Sequence, residues 1–213
     1  MKKLLLFLPL MAGFLAFVMM NFLGYGPSKE SQAATDTVTV TATVLAYINI
    51  AITAGDTVAF GDLTPGTEEC YDTGTVATVS TNAANGYTLG LHDGSATDSP
   101  MTHTDTTTKI PDTDNTGTIA APAAYGAANI GLGIGLYAAD TTKEVPWGTG
   151  TTVCDTNNKY AVVPATATTA HTAAGAPKTN DTSSWSFKLD VANTQKTGAY
   201  SGNVTFTATE VLS

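Results

Sequence analysis

Threonine alternates with valine and alanine along residues 37–45, so that Val38, Val40, Ala42 and Val44 share one face and Thr37, Thr39, Thr41 and Thr43 the other. Successive side chains of an extended backbone point to opposite sides, and a two-residue period is the imprint of a strand with one buried face. The same period recurs along the chain. Residues 47–53 bring Ile48, Ile50 and Ile52 together, and residues 86–93 set Tyr87, Leu89 and Leu91 against Thr88, Gly90 and His92. Residues 130–138 set Ile130, Leu132, Ile134 and Leu136 against Gly131, Gly133 and Gly135. Residues 184–191 place Trp185, Phe187, Leu189 and Val191 inward with Ser186, Lys188 and Asp190 toward water; residues 199–212 place Tyr200, Val204, Phe206 and Ala208 inward. Further strands are expected over residues 57–63, 75–82 and 160–163.

Beyond Ala34 no stretch keeps the i, i+3, i+4, i+7 apolar spacing of a helix. About nine strands in succession, with no helices between them, predict an all-β fold. The expected architecture is a single antiparallel β-sandwich, immunoglobulin-like or jelly-roll-like, over residues 34–213. Two stretches rich in Ala, Thr and Pro, residues 94–129 and 164–183, read as surface loop insertions. Gly131, Gly133 and Gly135 leave one strand face smooth, which suits close approach of another sheet, loop or subunit, or of an aromatic side chain from the same domain.

Polarity here is carried by hydroxyl groups: 40 of the 213 residues are threonine and 13% are charged, about half the ~25% of an ordinary soluble domain. All nine basic residues are lysines, set against 18 acids for a net charge of -9. With no basic stripe to displace phosphate counterions, nucleic-acid binding is excluded. The acidic balance suits a chain that must remain soluble outside a cell.

Lys2 and Lys3 precede an apolar run over residues 4–24, followed by small and polar residues up to Ala33 and Ala34. A short basic region, an apolar stretch and small residues read as a secretory signal over residues 1–33, cut after Ala33. The alternative is an uncleaved anchor, since about 20 apolar residues can cross a bilayer of ~30 Å. Contact with a membrane is then limited to this segment, and the rest is expected to be extracellular or at the cell surface.

Chemical candidates are few. In an exported chain the two cysteines, Cys70 and Cys154, are expected to pair as a disulfide. Asp112-Thr113-Asp114-Asn115-Thr116-Gly117 resembles the start of a calcium loop, in which carboxylates alternate and a glycine permits the turn. Ala123 stands where such a loop ends in glutamate, so Asp112, Asp114 and Asn115, with Asp98 and Asp105 nearby, read as an acidic turn or a weak calcium site. His92, His103 and His171 share no metal-ligand spacing and are expected at the surface. Trp147, between Pro146 and Gly148, is either a plug at the sandwich edge or an exposed platform for a sugar ring. Asn180 and Asn203 begin glycosylation sequons. No catalytic constellation and no cofactor-binding motif is legible, and the chain is not expected to be an enzyme.

The clue that carries most weight is position. The alternating residues 34–45 follow directly on the expected cleavage point and have neither Gly nor Pro, nor any charge beyond Asp36. Natural edge strands usually carry such safeguards against pairing. A strand of this kind either opens its own sheet or completes that of a neighbouring copy, with Val38, Val40, Ala42 and Val44 facing the acceptor.

Three segments also carry a resemblance: Val58-Ala59-Phe60-Gly61-Asp62-Leu63-Thr64-Pro65-Gly66-Thr67, Asn85-Gly86-Tyr87-Thr88-Leu89, and Gly198-Ala199-Tyr200-Ser201-Gly202-Asn203-Val204-Thr205-Phe206-Thr207-Ala208. Together they resemble exported surface β-sandwich proteins: the WxL-type cell-wall domains of Gram-positive bacteria and, more loosely, sandwich pilins and camelysin-like biofilm fibre subunits. Where the first family carries Trp-x-Leu this chain has Tyr87-Thr88-Leu89 and Phe206-Thr207-Ala208. The resemblance implies export, a sandwich and a surface role. The expected function is a structural subunit of an extracellular filament, fimbria or layer, its partners being other copies of itself. The alternative is a monomeric module binding wall or environmental polysaccharide, and a weaker third reading is a secreted hydrolase.

Overall fold

The computed structural model describes residues 33–94 and 100–212. The segment assigned to export therefore lies, up to residue 32, outside the described residues, as does Asp98. The chain divides into two units, residues 1–43 and 44–213. In the first, residues 33–43 form neither helix nor strand and are exposed. A strand needs a neighbour to pair with, and the expected strand over residues 37–45 has none among the described residues.

The second unit is an all-β sandwich. One sheet contains β1 (Ile48–Ala54), β3 (Thr75–Thr81), β10 (Lys178–Asp190) and β7 (Gly131–Ala139), all antiparallel and in that spatial order. The two-residue β2 (Glu69–Cys70) also pairs with β10, at Lys188 and Leu189. Because β7 occupies one edge of β10 there, β2 lies on the β3 side, as a continuation of it. The facing sheet runs β12 (Thr205–Glu210), β4 (Gly86–His92), β9 (Thr168–Ala174). Four further two-residue strands complete the described set: β5 (Thr102–His103) pairs with β11 (Tyr200–Ser201), and β6 (Ala123–Ala124) with β8 (Lys159–Tyr160).

The inner faces follow the alternation read from the sequence. Tyr87, Leu89 and Leu91 of β4 meet Ala77 and Val79 of β3, Leu132, Ile134 and Leu136 of β7, and Trp185, Phe187 and Leu189 of β10 in one buried cluster. Trp185 sits edge-on to both Trp147 and Phe206, with ring centroids 5.8 and 5.4 Å apart. Such pairings add roughly 0.5–1.5 kcal/mol each beyond burial.

The outer face of the β10–β7 pair departs from expectation. Ser186, Lys188 and Asp190 are buried instead of facing water, because part of the stretch read as the first loop insertion folds over them as a third layer. Ile110, Thr113, Asn115, Ile119 and Tyr125 of that stretch are buried. The glycines of β7 explain how it fits: a Cβ on Gly133 would lie 2.9 Å from the Tyr125 ring, and one on Gly135 would lie 2.5 Å from the Lys159 carbonyl. The smooth face is thus covered by aromatics of the same chain. Lys188 is accommodated beneath them by Glu68, 2.9 Å away, and by the faces of Tyr125 and Tyr160.

Two other expectations are corrected. Much of residues 164–183 is β9 and the start of β10, not a loop; Ala170 and Ala173 turn inward there, but alanine is too small to reveal an apolar face by eye. Residues 57–63 form no strand. Their Val58, Phe60 and Leu63 instead pack, half-buried, against the core, and Gly61 at φ +72 breaks the extension.

Candidate functional site

The alternating segment keeps its side chains in solvent: Val38 and Val40 are 87% exposed and Val44 is 84% exposed. Its root, within the second unit, is held chiefly by Asn82. Asn82 accepts the Tyr47 N–H on Oδ1 at 2.7 Å and donates from Nδ2 to the Leu45 carbonyl at 2.8 Å. The Asn82 main-chain N–H and the Thr81 hydroxyl both reach the Tyr47 carbonyl, at 3.1 and 2.9 Å. Asn82 closes β3 in sequence, so the chain at Leu45–Tyr47 is held in line with β1 before it becomes regular strand. The sequence reading missed Asn82; its only signal is a polar residue directly after an alternating run.

On the same side of the sandwich the edge strands of the two sheets come close to one another. β1 is an edge of its sheet and β12 of the other, and neither has a partner on its outer edge among the described residues. Beyond the Ile52 end of β1 and the start of β12 lies a cleft of about 350 Å³, walled mainly by residues 55–60 and 200–204, with Ile52, Val58, Met101, Val204 and Phe206 among its apolar side chains. Ile48, Ile50, Ile52, Phe206 and Ala208 touch the core yet remain only half-buried. These are inward-facing residues of edge strands that no further strand covers.

The other candidates take structural positions. Cys70 and Cys154 are bonded, with Cα atoms 5.8 Å apart, tying β2 to the loop before β8. A bonded pair fits an oxidising compartment. Trp147 is 1% exposed and donates from Nε1 to the Ala170 carbonyl at 2.9 Å, which leaves no face for a sugar ring. Asp114 accepts the Ile130 N–H at 2.9 Å, and Asn115 is buried, bonded to Gly117, Ala123 and Tyr160. The polar atoms of Asn115 are committed to shaping the loop. Among the described residues no group of three or more His, Cys, Asp or Glu could hold a metal. Asn180, in left-handed conformation at the β10 bulge, and Asn203, on the rim of the cleft, are both exposed.

Two of the three histidines are not surface residues. His103 is buried, and Asp105 beside it is held well below the usual carboxylate range, chiefly by Lys196 and then by Thr108 and Thr107. His171, 1% exposed, contacts Thr141 Oγ1 through Nε2 at 2.9 Å and the Glu144 carboxylate through Nδ1 at 3.0 Å. Hydroxyl, imidazole and carboxylate stand in the order of an activated nucleophile. Here Glu144 also accepts the Thr172 N–H at 2.7 Å, so the cluster pins residues 141–144 onto β9. Nearby, Tyr87 donates to Asp181 at 2.6 Å, and burial first, then Asp181, pushes its phenol well above the ordinary range.

Glu144 gives a pH prediction. Burial alone would raise its pKa, but hydrogen bonding and charge interaction with His171, with the Thr172 N–H, bring it below the ordinary value. A carboxylate depressed on folding stabilises the fold above its unfolded pKa, about 4.3, and that contribution is lost as pH falls through the lower folded value. Glu144→Gln is therefore expected to lower the melting temperature at neutral pH and to flatten its decline below about pH 4. Calorimetry across pH 2.5–7 reads this out, and parallel curves for the two proteins would remove Glu144 as a contributor.

Fold and cleft together define an all-β sandwich with a small cleft beyond the end of β1 and an exposed segment, without a strand partner among the described residues, that leads into β1. Compared with models of known protein families and with curated proteins, the chain matches none.

Proposed function

We propose that the protein is a non-enzymatic structural subunit of an extracellular filament, fimbria or surface layer, assembled by donation of residues 35–45 from one copy to another. One observation carries the reading: the most regular alternating segment of the chain has its valines in solvent and no strand partner among the described residues. A β-branched segment in that state, uncharged beyond Asp36 and without ladder hydrogen bonds, has an apolar stripe to bury, and both needs are met by adding it to a foreign sheet edge. The disulfide, the acidic charge and the threonine-rich surface support an exported location. Head-to-tail donation that does not close into a ring builds fibres.

Electron microscopy of material sheared from the producing cells tests this directly. Regular fibres that contain the chain are expected. A chain recovered only as a monomer, at every concentration in sedimentation, would sink the reading.

A further inference from the structure

We propose that Thr141 is an acylation site: its hydroxyl, with His171 as base and Glu144 behind the ring, takes an acyl group from an activated ester or thioester and holds it as a threonine ester. The site lies outside the assembly reading and does not depend on it. Two stretches distant in sequence supply the groups. Thr141 follows β7 and Glu144 opens the short turn Val145–Trp147, while His171 lies within β9. His171 Nε2 is 2.9 Å from Thr141 Oγ1, and Nδ1 is 3.1 and 3.0 Å from the two oxygens of Glu144.

The carboxylate decides the tautomer. Glu144, its pKa held below the ordinary value despite burial by its bonds to His171 and the Thr172 N–H, is ionised at neutral pH and only accepts. The proton of the neutral ring therefore sits on Nδ1, and Nε2 offers a lone pair to the Thr141 O–H. A hydroxyl donating to the free nitrogen of a carboxylate-backed imidazole is a nucleophile whose proton has a destination.

The base is enclosed and the nucleophile is within reach. The His171 side chain is 0% exposed, with the Tyr87 ring edge-on to it, centroids 6.4 Å apart. Thr141 is half-buried between exposed Asp140 and Thr142, so a small donor meets the hydroxyl from solvent. Holding the turn does not require that hydroxyl. Asp140 is bonded to Thr182 through its N–H at 2.9 Å and its carboxylate at 2.8 Å, Glu144 accepts the Thr172 N–H, and Trp147 donates to the Ala170 carbonyl.

In the transfer, Thr141 Oγ1 bonds to the carbonyl carbon of the donor and its proton passes to Nε2. The bond from that carbon to the donor's oxygen or sulfur breaks, and the departing group takes the proton back from His171. Glu144 stays ionised and stabilises the imidazolium between the two steps. Water could reach Nε2 afterwards only past the acyl group, so the ester persists and the modification is made once per chain.

The test treats the full chain with p-nitrophenyl acetate at neutral pH and maps acetyl groups by peptide mass spectrometry. The 40 threonines are an internal control: Thr141 is expected to react far ahead of the rest. Thr141→Val should lose the label and Thr141→Ser keep it. His171→Gln should slow it by roughly 10²–10⁴-fold, and Glu144→Gln, at a positioning residue, should slow it too, while acetylation of the lysines stays unchanged. Near-ultraviolet circular dichroism verifies folding; were His171→Gln unfolded, Glu144→Gln carries the comparison. Thr141 labelled no faster than exposed Thr142, or at a rate that folded Glu144→Gln and His171→Gln chains share with the native one, would overturn the site. A chain that polymerises with Thr141 inert removes this site alone, and a monomer that acylates Thr141 removes only the filament.

Discussion

A chain lacking residues 34–45 is expected to form no polymer while keeping the sandwich. Fully burying a valine stabilises by roughly 1.5–3 kcal/mol, and three are exposed in the segment, Val38, Val40 and Val44. Main-chain hydrogen bonds to the acceptor edge contribute about 1 kcal/mol each. Ordering the segment and fixing two bodies oppose this by several kcal/mol. What remains per contact is modest, so losing the segment removes essentially all of the association. The sandwich should be little affected, because the valines are at least 84% exposed and have little buried area to lose. Sedimentation should show loss of polymer, and the melting temperature of the monomer should shift by no more than a few degrees. A synthetic peptide of residues 34–45 should bind the shortened chain and raise that temperature, by mass action on the folded state. A large drop in monomer stability on deletion would instead mean that the segment belongs to its own sheet.

Opening the Cys70–Cys154 bond is expected to have the largest effect on stability. The bond closes a separation of 84 residues, for which the chain-entropy model gives about 4–5 kcal/mol. Domains are typically stable by only about 5–15 kcal/mol, so about a quarter or more of the margin is at stake. For a chain of this size each kcal/mol moves the melting temperature by about 2–4 °C, and Cys70→Ser/Cys154→Ser should melt on the order of 10–20 °C lower. Differential scanning calorimetry, compared with the native chain plus and minus reductant, measures it. A shift below about 3 °C would mean that β2 and the loop before β8 move independently of the cooperative core.

The two effects act on different states, and this keeps them separable. The disulfide restricts the unfolded ensemble of one molecule, whereas the segment matters only when two molecules meet. Reduction should therefore lower the melting temperature equally at all protein concentrations, while deletion of residues 34–45 should abolish only the concentration-dependent species.

Local patterning determined a large part of this protein. The inward residues of β3, β4, β7 and β10 are legible from alternation alone, because a strand's side chains must alternate whatever it later pairs with. The disulfide is legible because the chain has only two cysteines. What the pattern cannot carry is coverage. Ser186, Lys188 and Asp190 read as solvent-facing, and become buried because Tyr125 and Tyr160, distant in sequence, fold across Gly133 and Gly135. Trp147 and His171 are buried for the same kind of reason, by elements brought together only in three dimensions. β9 escaped notice because alanine and threonine bury well without looking apolar. The clearest alternation of all, over residues 37–45, forms no ladder in the described structure. Alternation reports which face of a strand is fit for burial, and that is a property of a few consecutive residues. Whether a sheet edge is available to accept it depends on where β1 and β12 end up, and only the tertiary structure decides that.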